Sequence, residues 1–132
     1  MACDVKILSQ SRTALLIGTG HVTGYELAEG CTEMVEDALW NDGFNEVWDL
    51  SAARAVDIQP DGLDELVSCM HVYADRVGHN RVAFVTTKET VRILLRLFEQ
   101  LTRDLDRSYH TAPSRDEAAL WLGLDPRALA EA

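Results

Sequence analysis

The sequence predicts an α/β protein with a mostly parallel sheet of four or five strands, an N-terminal antiparallel hairpin and about four helices. Strand-like and helix-like segments alternate along the chain in the order β-β-α-β-α-β-α-β-α. Such alternation is typical of a parallel sheet whose strands are joined by crossover helices. The 132 residues, 47% of them hydrophobic, are enough for a single domain with one sizeable core. We therefore predict one domain over 1–132.

The predicted strands are short runs rich in β-branched and other apolar residues. Only Ser11 and Arg12 separate the first two runs, which predicts a hairpin. Residues 51–59, rich in small side chains, are predicted to be a loop. The predicted strands cover residues 5–10, 13–18, 46–50, 81–87 and 108–111.

The predicted helices have apolar residues spaced three and four apart. Thr23 and Glu26 have the form of a capping box, and Ser114 and Glu117 repeat that pattern before the last helix. Pro60 suits the first turn of the second helix, because a backbone N–H has no helical partner there. The predicted helices cover about 24–41, 60–77, 91–105 and 115–122, and a flexible tail is predicted over 125–132.

The charge balance argues against several classes of partner. Twenty-two acidic and twelve basic residues give a net charge of −10, whereas nucleic-acid binders present a basic face to phosphates. The acidic excess also disfavours binding to anionic membranes. No apolar run approaches the roughly 20 residues that cross a bilayer, and no signal peptide is recognisable. Cys3, Cys31 and Cys69 are far apart, which favours a reducing cytoplasm over a disulfide framework or zinc site.

A glycine-rich segment lies between the second strand and the first helix. Gly18, Gly20 and Gly24 form a G-x-G-x-x-x-G pattern, and Asp49 lies near the end of the next strand. Dinucleotide-binding folds use such glycines to approach a pyrophosphate and such a carboxylate to bind ribose. The pattern departs from that fingerprint, because the capping box starts the helix only after Thr23 and another strand precedes the glycine-bearing one. An NAD(P)- or nucleotide-binding protein is therefore the least favoured hypothesis.

Three parts of the sequence carry motifs of one known family. Residues 46–51, Glu-Val-Trp-Asp-Leu-Ser, are similar to a central strand motif, hydrophobic-x-x-Asp-Leu-Ser. Residues 57–63, Asp-Ile-Gln-Pro-Asp-Gly-Leu, are similar to a loop-to-helix motif, Asp-Ser-Ser/Thr-Gly-Leu. Residues 81–86 and 116–123 are similar to an Arg-x-Ala-hydrophobic-Val strand and a last helix containing Trp-Leu. Over roughly 5–123, the sequence therefore resembles the STAS family, in its SpoIIAA-like (STAS/SEC14-like) bacterial branch.

This resemblance implies a regulatory module that acts through protein–protein contacts, without a catalytic centre or cofactor. In the family's anti-sigma-factor antagonists, a partner kinase phosphorylates a serine at the start of the second helix. Here Gly62 and Leu63 match the family's Gly-Leu, which places Asp61 at the serine position. Asp61 is either a permanently charged counterpart of the phosphoserine or an ordinary first-turn carboxylate. The candidate partner or switch surface consists of Ser51, Asp57, Asp61, Gly62 and Leu63.

A second candidate surface lies on the third predicted helix. At about 100° per residue, its four arginines project within about 60° of each other. They form a basic stripe on an acidic protein, and they are Arg92, Arg96, Arg103 and Arg107. The stripe is either a docking edge for an acidic partner or phosphorylated headgroup, or a solvent-exposed face paired with nearby carboxylates.

Two hypotheses concern ligands. The SEC14-like name of the branch implies a small-molecule or lipid carrier, which needs an apolar pocket beside the sheet lined by Leu95, Phe98 and Leu101. The carboxylates near the strand ends could hold Mg²⁺, but their spacing supports no metal site. These carboxylates belong to Asp49, Asp57, Asp61, Asp64 and Glu65.

No catalytic pair is recognisable in the sequence. The histidines that follow the first helix have no nucleophile or carboxylate at a known catalytic spacing. They are His71, His79 and His110. We therefore predict a cytoplasmic, non-enzymatic protein with a protein partner, with a homodimer as one candidate state and a small apolar ligand as the alternative.

Overall fold

The computed structural model describes residues 2–130. The strands, in chain order, are β1 (Cys3–Leu8), β2 (Thr13–Gly18), β3 (Gly20–Thr23), β4 (Asn45–Asp49), β5 (Ala53–Asp57), β6 (Asn80–Val85) and β7 (Arg107–Ala112). The helices are α1 (Gly24–Glu36), α2 (Pro60–Val72), α3 (Ala74–Val77), α4 (Glu89–Leu101), α5 (Arg115–Trp121) and α6 (Arg127–Ala130).

The main sheet has the strand order β1-β2-β4-β6-β7. Strands β1 and β2 form an antiparallel hairpin joined by a short 3-10 turn, Ser9–Ser11. The remaining pairs, β2 with β4, β4 with β6, and β6 with β7, are parallel. This arrangement confirms the predicted fold class, including the antiparallel strand at one edge.

The structure contains a second, two-stranded sheet that the sequence analysis missed. In it β3 pairs with β5 in parallel, although residues 51–59 were expected to form a loop. Both strands are short, and β5 buries only Ala53 completely. Their extended conformation depends on pairing with each other, which the local pattern does not reveal.

Apolar side chains pack on both faces of the main sheet. Successive residues of a strand point to opposite faces, so Trp48 joins the cluster under α1, α2 and α4, while Val47 joins the cluster under α5 and α6. Both side chains are fully buried. The sheet is therefore the middle of three layers, with the larger apolar cluster on the α1–α2–α4 side.

Some helices differ in length from the prediction. The second predicted helix is divided at Tyr73 into α2 and α3. The expected flexible tail contains α6, because Leu129 is fully buried in the smaller cluster and Asp125 caps the Arg127 amide; residues 131 and 132 lie outside the described residues. Among residues 2–130, no helix has the length and hydrophobicity needed to cross a membrane.

Candidate functional site

The predicted switch region lies where β3 and β5 end and α1 and α2 begin. Thr23 pairs with Asp57 at the last position of the small sheet. Thr23 then caps α1: its hydroxyl accepts from the Glu26 amide at 3.2 Å, and the Glu26 carboxylate accepts from the Thr23 amide at 3.0 Å. The predicted capping box is confirmed. It fixes where α1 starts.

Two glycines allow the starts of α1 and α2 to touch. A Cβ atom on Gly24 would lie 2.7 Å from the carbonyl carbon of Gly62. Real Cβ atoms do not approach backbone so closely, so any side chain at Gly24 would push the two helices apart. The contact places the first turn of α2 directly beside the first turn of α1.

A hydrogen bond between side chains spans this helix contact. The Tyr25 hydroxyl of α1 donates to the Asp61 carboxylate of α2 at 3.2 Å. This bond, together with partial desolvation, raises the pKa of Tyr25 above its usual 10.0. Asp61 also accepts from the Gly62 amide at 3.0 Å. Asp61 is thus a first-turn carboxylate of α2, and it also ties α2 to α1.

Tyr25 is the main residue of this region that the sequence analysis missed. Its side chain is 47% exposed, and in sequence it is an ordinary residue of the first turn of α1. It lies 36 positions from Asp61, so only the packing of α1 against α2 brings the two together. No local signal in the sequence indicates the pair.

The helix contact forms the floor of a shallow acidic groove. A cavity of about 210 Å³ is lined by Thr23, Gly24, Tyr25, Asp57, Gln59, Asp61 and Gly62. We call these residues the junction surface. Tyr25 also lines a neighbouring cavity of about 400 Å³ between α1 and α2, together with Glu29, Glu33 and Glu65. Carboxylates therefore surround an exposed tyrosine.

Ser51 lies apart from the junction surface. It follows β4, where its hydroxyl donates to Asp49 at 2.5 Å. Burial alone would raise the pKa of Asp49, but hydrogen bonds from Ser51 and Arg115 outweigh it and lower that pKa below 3.8. Strand β5 then carries the chain about 13 Å away before Asp57 is reached, at about 3.3 Å per residue. Ser51 and Asp49 therefore organise the loop after β4. Leu63, the last member of the predicted switch surface, lies half-buried in α2, two residues after Asp61.

The three glycines of the predicted nucleotide motif lie at separate places. Gly18 ends β2, where a Cβ would lie 2.9 Å from the Leu50 side chain. Gly20 begins β3 with a φ of 66°, which favours glycine. Gly24 is covered by Gly62. Strand β3 thus lies where a nucleotide-binding fold would have one phosphate-binding loop. The Asp49 carboxylate, expected to bind ribose in such a fold, instead binds Arg115 at 2.5 Å.

The predicted four-arginine stripe is wrong at its last member. Helix α4 ends at Leu101, and the Thr102 hydroxyl donates to the Phe98 carbonyl at 2.9 Å. Arg107 is instead the first residue of β7, with a side chain 3% exposed that pairs with the buried Glu46. Only the other three arginines are exposed, Arg92 and Arg96 on α4 and Arg103 after it.

Aromatic side chains fill the space that a carrier would need beside α4. Phe98 is 1% exposed, and its ring centroid lies 5.5 Å from that of Trp48 and 5.9 Å from that of Tyr109. Leu95 is buried in the same cluster, whereas Leu101 is 44% exposed and faces away from it. The expected ligand pocket at this position is therefore a packed core.

The remaining polar candidates have local partners. His71 contacts Asp104 at 3.0 Å and His79 contacts Asp106 at 2.7 Å, while His110 stacks on Trp121. Within residues 2–130, no three His, Cys, Asp or Glu side chains are grouped to hold a metal ion. The five carboxylates considered for Mg²⁺ do not converge.

Comparisons with known proteins show the fold. No family model and no curated protein matches the sequence. The crystal structure of an uncharacterized DUF3478-family protein from Shewanella loihica PV-4, which has a SpoIIAA-like fold, is similar with a TM-score of 0.60 and 14% identity over 92% of both chains. The anti-sigma factor antagonist SpoIIAA, unphosphorylated, is similar with a TM-score of 0.51 and 9% identity, over 92% of this chain and 98% of that one. This protein therefore has a SpoIIAA-like fold.

Proposed function

We propose that this protein is a non-enzymatic regulatory module that binds a protein partner through the junction surface. The observation that carries the proposal is the pair formed by Tyr25 and Asp61 over the Gly24–Gly62 contact. It lies at the start of α2, the position that the STAS resemblance associates with partner recognition. The similarity in fold to an anti-sigma factor antagonist supports this assignment.

The charges of the groove define the chemistry of the partner. Asp57 and Asp61 are exposed on the junction surface, and Glu29, Glu33 and Glu65 line the adjoining cavity. Tyrosine combines a large apolar area with a hydroxyl, which makes it a frequent anchor of protein interfaces. We therefore expect the partner to present a basic surface around a pocket or groove that accepts Tyr25.

Asp61 gives this module a fixed charge where the related switch uses phosphorylation. A phosphoserine at a helix N-terminus adds negative charge that the helix dipole stabilises. Asp61 supplies one negative charge at that place without a kinase. In this proposal Asp61 keeps the site permanently charged. Partner binding is then regulated by the cellular amount of this protein or by changes in the partner.

The cysteines are poor candidates for catalytic nucleophiles and suit the proposed cytoplasmic location. Cys3, Cys31 and Cys69 are free and buried. Burial raises the pKa of the Cys3 thiol to about 11 and raises the pKa values of Cys31 and Cys69 as well. Thiols in this state are weak nucleophiles, and unpaired cysteines suit a reducing compartment.

A charge reversal at Asp61 tests the proposal. Wild-type protein, Asp61→Lys and the control Asp116→Lys are immobilised and exposed to lysate of the source organism. Asp116 is the matched control because it is exposed and is the second residue of α5, as Asp61 is of α2. The retained proteins are quantified by mass spectrometry, and the best candidate is purified and titrated.

We expect one protein to be retained by the wild type and by Asp116→Lys and to bind Asp61→Lys at least about tenfold more weakly, equivalent to about 1.4 kcal/mol. Tyr25→Ala is expected to weaken binding of the same partner. Identical retention by all variants would place partner binding elsewhere and would overturn the proposal.

A further inference from the structure

Helix α4 carries an apolar ridge on its exposed side. Val91, Leu95 and Phe98 form its buried face, each no more than 2% exposed. Three further apolar residues are spaced four apart, so they line up along one side of the helix. They remain exposed by 54%, 43% and 44%, and they are Ile93, Leu97 and Leu101. Exposed apolar side chains in such a continuous row are typical of an interaction site.

Exposed arginines run along one flank of this ridge. Arg92 and Arg96 each precede a ridge residue, so each projects about 100° round the helix from it. Arg92 has a weak ion pair with Glu89 at 4.0 Å. For Arg96 and Arg103, the described part of the chain provides no carboxylate within ion-pair distance. Glu89 and Glu99 of the same helix offset part of this charge, but no ion pair neutralises Arg96 or Arg103, on a protein whose net charge is −10.

We propose that α4 is a second docking site, which binds an acidic amphipathic helix of a protein partner. The ridge supplies the apolar stripe that a helix-on-helix contact needs. The arginine flank selects a partner with carboxylates beside its own apolar stripe, since opposite charges at the rim give specificity and faster association. This site lies on α4 and does not depend on the junction surface.

A second copy of this chain matches the site poorly. Antiparallel pairing of two ridges about Leu97 would place the same flanks together, and Arg96 of each copy would face the other. Parallel pairing would set the arginines against Thr90 and Leu94, which carry no charge. An anionic membrane would attract the arginines but repel the rest of an acidic protein. An acidic protein segment is the occupant that satisfies both the ridge and its flank.

The test uses two designed peptides with the full-length protein. The first is a fluorescent amphipathic helix with leucines spaced as on α4 and glutamates on both flanks, and the second replaces those glutamates by lysines. Binding is measured for wild type, Leu97→Asp and Arg92→Glu/Arg96→Glu. The controls are Leu120→Asp, at a leucine 65% exposed on α5, and Arg54→Glu/Arg76→Glu, which changes charge equally at two other exposed arginines. Circular dichroism checks the folding of each variant.

We expect the glutamate peptide to bind the wild type and both controls, and to bind Leu97→Asp and Arg92→Glu/Arg96→Glu at least about tenfold more weakly. Failure of this peptide to bind, or equal binding of the lysine peptide, would overturn the proposal. A concentration-dependent dimer abolished by Leu97→Asp would assign the ridge to a second copy. Stronger binding to phosphatidylserine vesicles than to the peptide would assign it to a membrane surface.

Discussion

Gly24 and Gly62 position the candidate site although neither contributes a side chain. Their backbones touch where α1 and α2 begin, and this contact brings Tyr25 within hydrogen-bond distance of Asp61. The two glycines are not equivalent. A Cβ on Gly24 would lie 2.7 Å from Gly62 backbone, whereas a Cβ on Gly62 would meet its nearest atom, the Gly24 Cα, at 3.4 Å.

This asymmetry predicts different effects of the two alanine substitutions. Gly24→Ala is expected to lower the free energy of unfolding by about 1–3 kcal/mol, the usual cost of overpacking. Gly62→Ala is expected to leave it unchanged or raise it by up to about 1 kcal/mol, because alanine favours a helix over glycine. Urea unfolding of both variants measures the difference. Equal midpoints would show that α1 and α2 are not held in this contact.

Single residues also show which parts of the site the sequence could predict and which it could not. Asp61 and Gly62 could be assigned to the start of α2, because Pro60 and the apolar spacing define that helix. Tyr25 could not be identified, since its partner is 36 positions away. Arg107 was assigned to a helix by extending the α4 period past its end, and its burial depends on Glu46, 61 positions away.

At the scale of elements, one ion pair ties the loop after α4 to the end of α2. His71 has acceptors at both ring nitrogens: the Val67 carbonyl lies 3.0 Å from Nδ1 and the Asp104 carboxylate 3.0 Å from Nε2. An imidazolium can donate to both at once. These bonds raise the pKa of His71 above 6.5, and the bond from His71 lowers the pKa of Asp104 below 3.8.

This pair predicts a pH-dependent contribution to stability. Because the pKa of folded His71 is raised, its contribution is complete below the ordinary histidine pKa and is lost as pH rises through the raised value. Because the pKa of Asp104 is lowered, its contribution is present above the ordinary aspartate pKa and is lost in acid. His71→Gln is therefore expected to lower Tm at about pH 5.5 and to have little effect at about pH 8.5. Thermal unfolding at both pH values, with His110→Gln as control, measures this; an equal Tm loss at both would contradict the assignment.

Elements with a strong internal pattern were predicted well. Helix α4 and strand β6 carry enough apolar residues to be recognised alone, and the capping box located α1. Strands β3 and β5 were missed because each is stabilised by the other, across an intervening helix and strand. The junction surface lies at the end of this small sheet, so local patterns could predict the starts of its two helices but not the strand pairing that brings them together.

At the scale of the whole molecule, both proposed binding sites lie on the surface. The main sheet is packed on both faces, and Trp48, Phe84 and Phe98 fill the larger cluster beside α4. The junction surface and the α4 ridge are instead exposed features of the helices on that side. This arrangement supports the proposal that the protein acts through surface contacts.

Native mass spectrometry of gently purified protein tests this claim most directly. We expect each copy to have the mass of the polypeptide alone, 14.7 kDa, with no small molecule that is released on denaturation. A stoichiometric adduct with the mass of a lipid or nucleotide would contradict the account, because it would require a ligand-binding interior or a phosphate-binding loop that functions in place of the proposed contact surfaces.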